Sequence, residues 1–146
     1  MLVAEIMATN VEFIAPEATV QEAAVLMGEI DSGALPVGTS DDLQGIVTDR
    51  DILFRVSAAG GDPGRVRVRE IMSSTVFACH EDDTIAAVMD MMASYHVRRL
   101  PVEGEAGRIV GWVTLSDISC HLLVHSKIVI AALRDLTLGE EDGAVR

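Results

Sequence analysis

The sequence predicts an α+β fold in which two copies of one β-α-β-β-α unit form a single module. Residues 4–7 recur at 69–72 and residues 35–37 recur at 100–102, so both segments return 65 positions later. A glycine, a threonine and an aspartate spaced three apart, at Gly45, Thr48 and Asp51, recur 66 positions later. This self-similarity indicates two units that are related by an approximate twofold axis.

The elements of the first unit follow from hydrophobic period and turn residues. Alternating residues that stop at Pro16 indicate a short strand, and Thr19 with Glu22 forms a capping-box pattern that opens a helix. In chain order, the predicted elements are a strand at 11–14, a helix from Thr19, strands at 34–37 and 43–47, and a helix from Thr48 to about residue 58. The glycine-rich segment 60–64 is predicted to be a linker.

The second unit repeats this order after the linker. Its predicted elements are a short helix at 68–72, a strand near 76–79, a helix from Thr84 to about Tyr95, strands near 99–102 and 109–114, and a closing helix from 116 or 117 to about 133. We therefore divide the chain into a first unit at 1–62, a second unit at 63–138 and a flexible tail at 139–146. The two units are expected to bury their apolar helix faces together.

Composition and charge narrow the possible functions. The chain has 146 residues, of which 49% are hydrophobic, which is enough for a shared core. A formal net charge of −12 disfavours nucleic acid and anionic membrane surfaces as partners, and an anionic ligand would need a local positive site. No apolar run is long enough to cross a bilayer, and no basic region precedes a signal-like segment, so we expect a cytoplasmic protein.

Cysteine and histidine residues give no strong metal or catalytic motif. Cys79 and Cys120 lie far apart without a partner motif, so we expect two reduced, buried thiols. His121 and His125 have a spacing compatible with a metal, but no neighbouring glutamate completes the zinc-hydrolase pattern, so a pair on a helix face is favoured. Since no nucleophile motif occurs either, we expect no metal and no enzymatic activity.

The recurring Gly-x-x-Thr-x-x-Asp corner has two interpretations. In the first, Thr48 and Asp51 form a capping box that satisfies free amides at the start of a helix. In the second, the hydroxyl, the carboxylate and the unpaired amides also hold a phosphorylated sugar. A single corner favours capping alone, whereas two corners in equivalent places raise the weight of the second interpretation.

Together, the recurring segments resemble a tandem pair of CBS domains, the module named after cystathionine β-synthase, over nearly the whole chain. The resemblance implies a disc-like regulatory module, often dimeric, with two clefts between its units. Such clefts can bind AMP, ADP or ATP and, in some members, S-adenosylmethionine or NADH, which we favour less here. The nucleotide motif of the family maps onto Gly45, Thr48 and Asp51 and onto Gly111, Thr114 and Asp117. The resemblance implies that the aspartate meets the ribose hydroxyls and that the threonine lies near ribose and phosphate.

The residues before each Leu-Pro-Val differ between the units. Arg98 and Arg99 stand there in the second unit, and in similar proteins basic side chains at this place reach ligand phosphates. The alternative for these arginines is a solvated strand face with salt bridges. Gly33 and Ala34 stand there in the first unit, where they would let an adenine lie against backbone but supply no charge. We therefore expect unequal clefts. Further candidate phosphate contacts, each favoured as a surface charge, are Arg50, Arg65, Arg67 and Arg69.

Two function classes remain open. The first is a regulatory module that binds an adenosine nucleotide and signals through its conformation or its dimer interface. The second is a ligand-free dimerisation or interaction module that keeps the same fold. The intact threonine and aspartate of both corners, together with Arg98 and Arg99, favour the first class. We expect a homodimer and an effector protein that the sequence does not identify, with no required cofactor and no nucleic-acid or membrane partner.

Overall fold

The structure is a computed structural model that describes residues 1–124, 126–128, 130–132 and 134–135. Its helices and strands in chain order are α1 (Val20–Ile30), β1 (Ala34–Gly38), β2 (Leu43–Thr48), α2 (Asp49–Ile52), α3 (Val68–Ile71), β3 (Cys79–His80), α4 (Ile85–Tyr95), β4 (Arg99–Glu103), β5 (Ile109–Thr114) and α5 (Leu115–Val124). A π-helical segment (Leu53–Ser57) continues α2, and short 3-10 turns occupy Val3–Glu5 and Glu105–Gly107. The α+β fold with two equivalent units is confirmed.

An antiparallel strand pair forms the centre of each unit, in the same register in both. Leu35 of β1 lies opposite Val47 of β2, and Leu100 of β4 lies opposite Val113 of β5. These leucines and valines are almost completely buried, which explains why the Leu-Pro-Val segment recurs. In the second unit β3 adds a third, parallel strand beside β4, with Cys79 opposite Val102.

The predicted strand at 11–14 is wrong except at its last residue. Ala8 bridges Trp112 of the second unit, and six residues later Ile14 bridges Val37 of the first. The segment between them crosses from one sheet to the other, so it cannot form a ladder with either. The equivalent segment after α3 crosses from Ser73, which bridges Ile46, to Cys79 in β3. For the same reason the strand predicted near 76–79 begins only at Cys79.

Two hydrophobic cores lie under the two strand pairs, and each is completed by the segment that precedes the other unit. Val68 and Ile71 of α3 pack in the first core, whereas Val3 of the N-terminal turn packs in the second. The side chains of Val3 and Val68 are fully buried. Because each core includes residues from the segment that precedes the other unit, the stabilities of the two units are coupled.

The remaining expectations about termini and thiols have mixed outcomes. The closing helix begins at Leu115, while its predicted end near 133 and the tail at 139–146 lie outside the described residues. Both cysteines are free, but only Cys79 is buried. Cys120 is exposed, which corrects the expectation of two buried thiols, because α5 packs on the second core through Leu115 and Ile118 and not through Cys120. Burial, with a smaller effect from the charge of Asp83, raises the pKa of Cys79 to about 11.

The described part of the chain carries neither a membrane span nor a metal cluster. Within it, no helix combines the length and apolar character that a bilayer crossing requires. The same residues contain no group of three metal-ligating side chains. The predicted pairing of His121 with His125 cannot be followed, because His125 lies outside the described residues.

Candidate functional site

Both Gly-x-x-Thr-x-x-Asp corners are capping boxes. At the start of α2, the Asp51 amide donates to Thr48 Oγ1 over 3.1 Å and the Thr48 amide donates to Asp51 Oδ2 over 2.9 Å. The corresponding distances between Thr114 and Asp117 at the start of α5 are 3.0 and 3.2 Å. Capping is therefore confirmed at both corners. It occupies only Oδ2 of each aspartate, so Oδ1 can still accept a hydrogen bond from a ligand.

The glycine of each corner is required for close packing. A Cβ atom on Gly45 would lie 2.7 Å from the Ser73 carbonyl oxygen and 2.8 Å from Met72 Sδ. A Cβ atom on Gly111 would collide with Met7 in the equivalent way. Neither glycine lines a cleft in the described part of the chain. Met72 of the second Glu-Ile-Met segment packs on Gly45, and Met7 of the first packs on Gly111. The methionines and the glycines therefore recur together.

Gly45→Ala is expected to lower the free energy of unfolding by about 1 to 3 kcal/mol, because the new methyl group must displace Met72 or the backbone at Ser73. The matched control is Gly28→Ala in α1, where an added Cβ meets nothing within 4 Å. That change should raise the free energy of unfolding by about 0.5 to 1 kcal/mol through helix propensity. Urea denaturation of both variants measures the two values. Equal effects in the two variants would contradict the packing role of Gly45.

The larger of the two clefts, which we name the arginine cleft, has a volume of about 640 Å³. It lies where the corner of the first unit faces the residues that precede β4 of the second unit. Its lining residues are Ile46, Thr48, Asp49, Arg50, Asp51, Ser73, Thr75, Phe77, His96, Val97, Arg98, Arg99 and Leu100. Both units therefore contribute to the arginine cleft, and so does the crossing segment after α3.

Arg50, Arg98 and Arg99 bring three guanidinium groups to the arginine cleft without ion-pair partners among the described residues. Arg50 contacts the Phe54 ring at 5.2 Å from its centroid, and Arg98 is exposed while Arg99 is half-buried. Other arginines of this acidic chain do form ion pairs, namely Arg55, Arg65, Arg69 and Arg108. Within the described part of the chain, Arg98 and Arg99 therefore lack the salt bridges that the alternative interpretation expects. The unpaired cations leave a local positive site of the kind an anionic ligand needs.

The arginine cleft also has a carboxylate side and an aromatic side. Asp51 is only 16% exposed at its side chain, and its Oδ1 lies 3.8 Å from Arg55 Nε. Phe77 stacks on Tyr95 with ring centroids 3.8 Å apart and ring planes 4° apart. Such a ring offers a flat apolar surface for a base, whereas the carboxylate offers an acceptor for hydroxyl groups.

The smaller cleft, which we name the carboxylate cleft, has a volume of about 360 Å³. It lies at the twofold-related position, where Asp117 of the second corner faces Ala34 of the first unit. Its lining residues are Ala8, Asn10, Val11, Glu12, Ile30, Asp31, Ser32, Ala34, Pro36, Trp112 and Asp117. Gly33 and Thr114 do not line it. Gly33 instead packs on α2, since its carbonyl oxygen accepts from the Asp49 amide over 2.9 Å and a Cβ atom would lie 2.8 Å from Asp49 Oδ2.

The structure shows which corner faces the residues that precede each Leu-Pro-Val segment. Arg98 and Arg99 share a cleft with Thr48 and Asp51 of the other unit, not with the Asp117 corner of their own. Sequence reasoning did not assign Phe77, His96, Glu12 or Asp31 to the clefts. The 65-residue repeat was the signal that could have found them. It places Phe77 and Glu12 at equivalent positions of the two units, and it does the same for His96 and Asp31.

Comparison with known sequences gives a family match in both units. Residues 3–58 and residues 68–123 each match the family model of the CBS domain. The chain is 37% identical over 123 residues to hypoxic response protein 1 of Mycobacterium tuberculosis, an alignment that covers 84% of this chain and 85% of that protein. A solved structure of Hypoxic Response Protein I contains two coordinated zinc ions. Its TM-score is 0.74 at 36% identity, over 83% of this chain and 98% of that chain.

Two further solved structures have the same fold. A protein with CBS domains from Burkholderia ambifaria MC40-6 superposes with a TM-score of 0.81 at 27% identity, over 87% of this chain and 97% of that chain. The CBS domain pair of protein MJ0100 was solved in complex with 5′-methylthioadenosine and S-adenosyl-L-methionine. It superposes with a TM-score of 0.74 at 28% identity, over 84% of this chain and 95% of that chain.

Proposed function

Because the chain belongs to the CBS-domain family and carries two such domains in tandem, we propose that it is a regulatory module that binds an adenosine nucleotide of the AMP, ADP or ATP class. The observation that carries this proposal is the arginine cleft, where Asp51 lines the same space as three guanidinium groups that form no ion pair with a described residue. The MJ0100 complex supports the adenosine part of the proposal, since its two ligands contain adenosine.

The proposed binding mode assigns one part of the ligand to each side of the arginine cleft. The base would pack near Phe77 among the apolar residues, and the ribose hydroxyls would donate to Asp51 Oδ1. The phosphates would accept from Arg50, Arg98 and Arg99, whose planar forks suit phosphate oxygens. Thr48 and the start of α2 lie beside the same space.

Signalling would follow because residues of both units line the arginine cleft. Arg50 belongs to the first unit and Arg98 to the second, so a phosphate held by both would favour one relative placement of the two units. Ser73 and Phe77 belong to the segment that crosses from α3 to β3, and α3 packs in the first core. A bound ligand would therefore affect the packing of both cores. The module would act on its effector through this change, without catalysing a reaction.

We also propose a cytoplasmic homodimer. Large apolar side chains are exposed on the helix that follows each corner: Leu53 and Phe54 are 57% and 56% exposed, and Leu122 and Val124 are 49% and 65% exposed. Exposed apolar side chains on both helices favour contact with a second copy of the chain. The free thiols of Cys79 and Cys120 fit a reducing compartment.

A ligand that binds the folded chain should stabilise it by mass action. At about 100 times its dissociation constant, the bound nucleotide should add roughly 2.7 kcal/mol to the free energy of unfolding. Thermal melts of the purified protein with AMP, ADP, ATP, S-adenosylmethionine and NADH measure this effect. Unchanged melting temperatures for the whole panel at millimolar concentration would favour the ligand-free dimerisation module instead.

A further inference from the structure

The two clefts occupy equivalent positions of the repeat but have opposite charge. The arginine cleft contains Arg50, Arg98 and Arg99 together with Asp49 and Asp51. At the sequence positions equivalent to Arg50, Arg98 and Arg99, the repeat has the uncharged residues Ser116, Gly33 and Ala34, of which Ala34 lines the carboxylate cleft. Every cation that would meet phosphate in the larger cleft is thus missing from the smaller one.

At two other equivalent positions, the carboxylate cleft has an acidic residue where the arginine cleft has none. Glu12 replaces the aromatic Phe77, and Asp31 replaces His96. Asp117 adds a third carboxylate, and none of the three forms an ion pair with a described residue. Among the described residues, the lining of the carboxylate cleft includes no lysine, arginine or histidine. A phosphate in this space would meet three like charges without a cationic side chain in the described lining to compensate them, which is unfavourable.

The features of the carboxylate cleft that suit a nucleoside are nevertheless present. Asp117 keeps the corner geometry of Asp51, with Oδ2 in the capping box and Oδ1 available to ribose hydroxyls. Trp112 is half-buried and lines the cleft together with the apolar residues Pro36 and Ile30. An indole ring is a good stacking surface for a purine. The cleft therefore retains contacts for base and sugar while it lacks contacts for phosphate.

We propose that the carboxylate cleft selects adenosine ligands that carry no phosphate and are neutral or cationic at the 5′ position. This inference rests on the proposed function, because it takes the two clefts to be ligand sites of one module. It extends that function by giving the two clefts different ligand classes. The module then responds separately to phosphorylated and phosphate-free adenosine compounds.

Trp112 makes the carboxylate cleft observable by itself. It is the only tryptophan of the chain, and the equivalent residue in the arginine cleft is Ile46. Tryptophan emission therefore reports ligands in the smaller cleft, while calorimetry reports both clefts. Adenosine should change the emission at a concentration about tenfold or more below that needed for AMP, and ATP should be weaker still. Added salt should narrow these differences because it screens the carboxylates.

Charge-neutral variants test the cause of the selection. Glu12→Gln combined with Asp31→Asn should bring the midpoints for adenosine and AMP closer together by about threefold or more. Asparagine tolerates the left-handed conformation of residue 31, whose φ is 52°, so the backbone is kept. The matched control is Glu105→Gln, which removes an exposed carboxylate outside both clefts and should leave the midpoints unchanged.

The outcomes separate this inference from the proposed function. If calorimetry detects binding but the emission responds to AMP or ATP as readily as to adenosine, charge selection is wrong and the proposed function stands. Charge selection is also wrong, and the proposed function again stands, if the emission responds to no probe while calorimetry detects ATP. If calorimetry detects none of the probes, the proposed function itself is wrong and this inference falls with it.

Discussion

Replacing both Arg98 and Arg99 by alanine should weaken ATP binding by about 3 kcal/mol, because two charge-assisted hydrogen bonds of roughly 1.5 kcal/mol or more each are lost. The affinity for adenosine in the same cleft should change much less, since adenosine has no phosphate. The difference between the two losses should be on the order of 1.5 kcal/mol or more. Calorimetric titration of the double variant with ATP and with adenosine measures both losses, and the emission of Trp112 identifies the adenosine that binds in the carboxylate cleft.

The matched control for this variant removes the same charge elsewhere. Arg65 and Arg69 form ion pairs with Asp62 and Glu17 and do not line either cleft. Arg65→Ala with Arg69→Ala should leave the affinity for ATP nearly unchanged. If both double variants lost the same affinity, only the overall charge of the protein would matter. If the Arg98 and Arg99 variant lost adenosine and ATP affinity equally, its arginines would not contact phosphate.

Asp51→Ala should weaken ATP binding by about 1.5 to 3 kcal/mol, the value of a charge-assisted hydrogen bond to the ribose. It should also cost about 1 kcal/mol of stability, because the capping box at Thr48 loses its carboxylate. Calorimetry and urea denaturation of the one variant separate these two effects. A stability loss with unchanged affinity would mean that the aspartate serves the helix alone.

The twofold repeat supplies the control for Asp51. Asp117 forms the same capping box with Thr114 but lies outside the arginine cleft. Asp117→Ala should therefore cost a similar amount of stability while ATP binding in the arginine cleft is retained. Equal loss of ATP affinity in the two variants would contradict the assignment of Arg98 and Arg99 to the Asp51 corner.

Much of the fold could be predicted because the same local signals occur twice. Capping boxes, the Leu-Pro-Val segments and the spacing of Gly45 and Gly111 are local or repeated features, and they placed β1, β2, β4, β5 and the helices that begin beside them. The strand at 11–14 was wrong because strand formation depends on a partner. Residues 11–13 have suitable alternation, but the chain at that point passes between two sheets.

The candidate site was harder to predict from sequence, because it also depends on contacts between distant segments. Local patterns and the family resemblance identified Thr48, Asp51, Arg98 and Arg99. The pairing of one corner with the arginines of the other unit depends instead on how the two units pack. The exchange of Val3 and Val68 between the cores is likewise a property of that packing. Gly45 and Gly111 were interpreted as ligand residues because they lie within the motif. The structure places them against methionine side chains instead.

Direct titration of the unmodified protein with ATP in a calorimeter tests whether the arginine cleft binds an adenosine nucleotide. We expect a saturable heat signal that weakens as salt is added, because the arginines attract the phosphates electrostatically. Absence of a binding signal for ATP, ADP and AMP at millimolar concentration would contradict this claim, and absence of a signal for adenosine as well would leave dimerisation or interaction as the function.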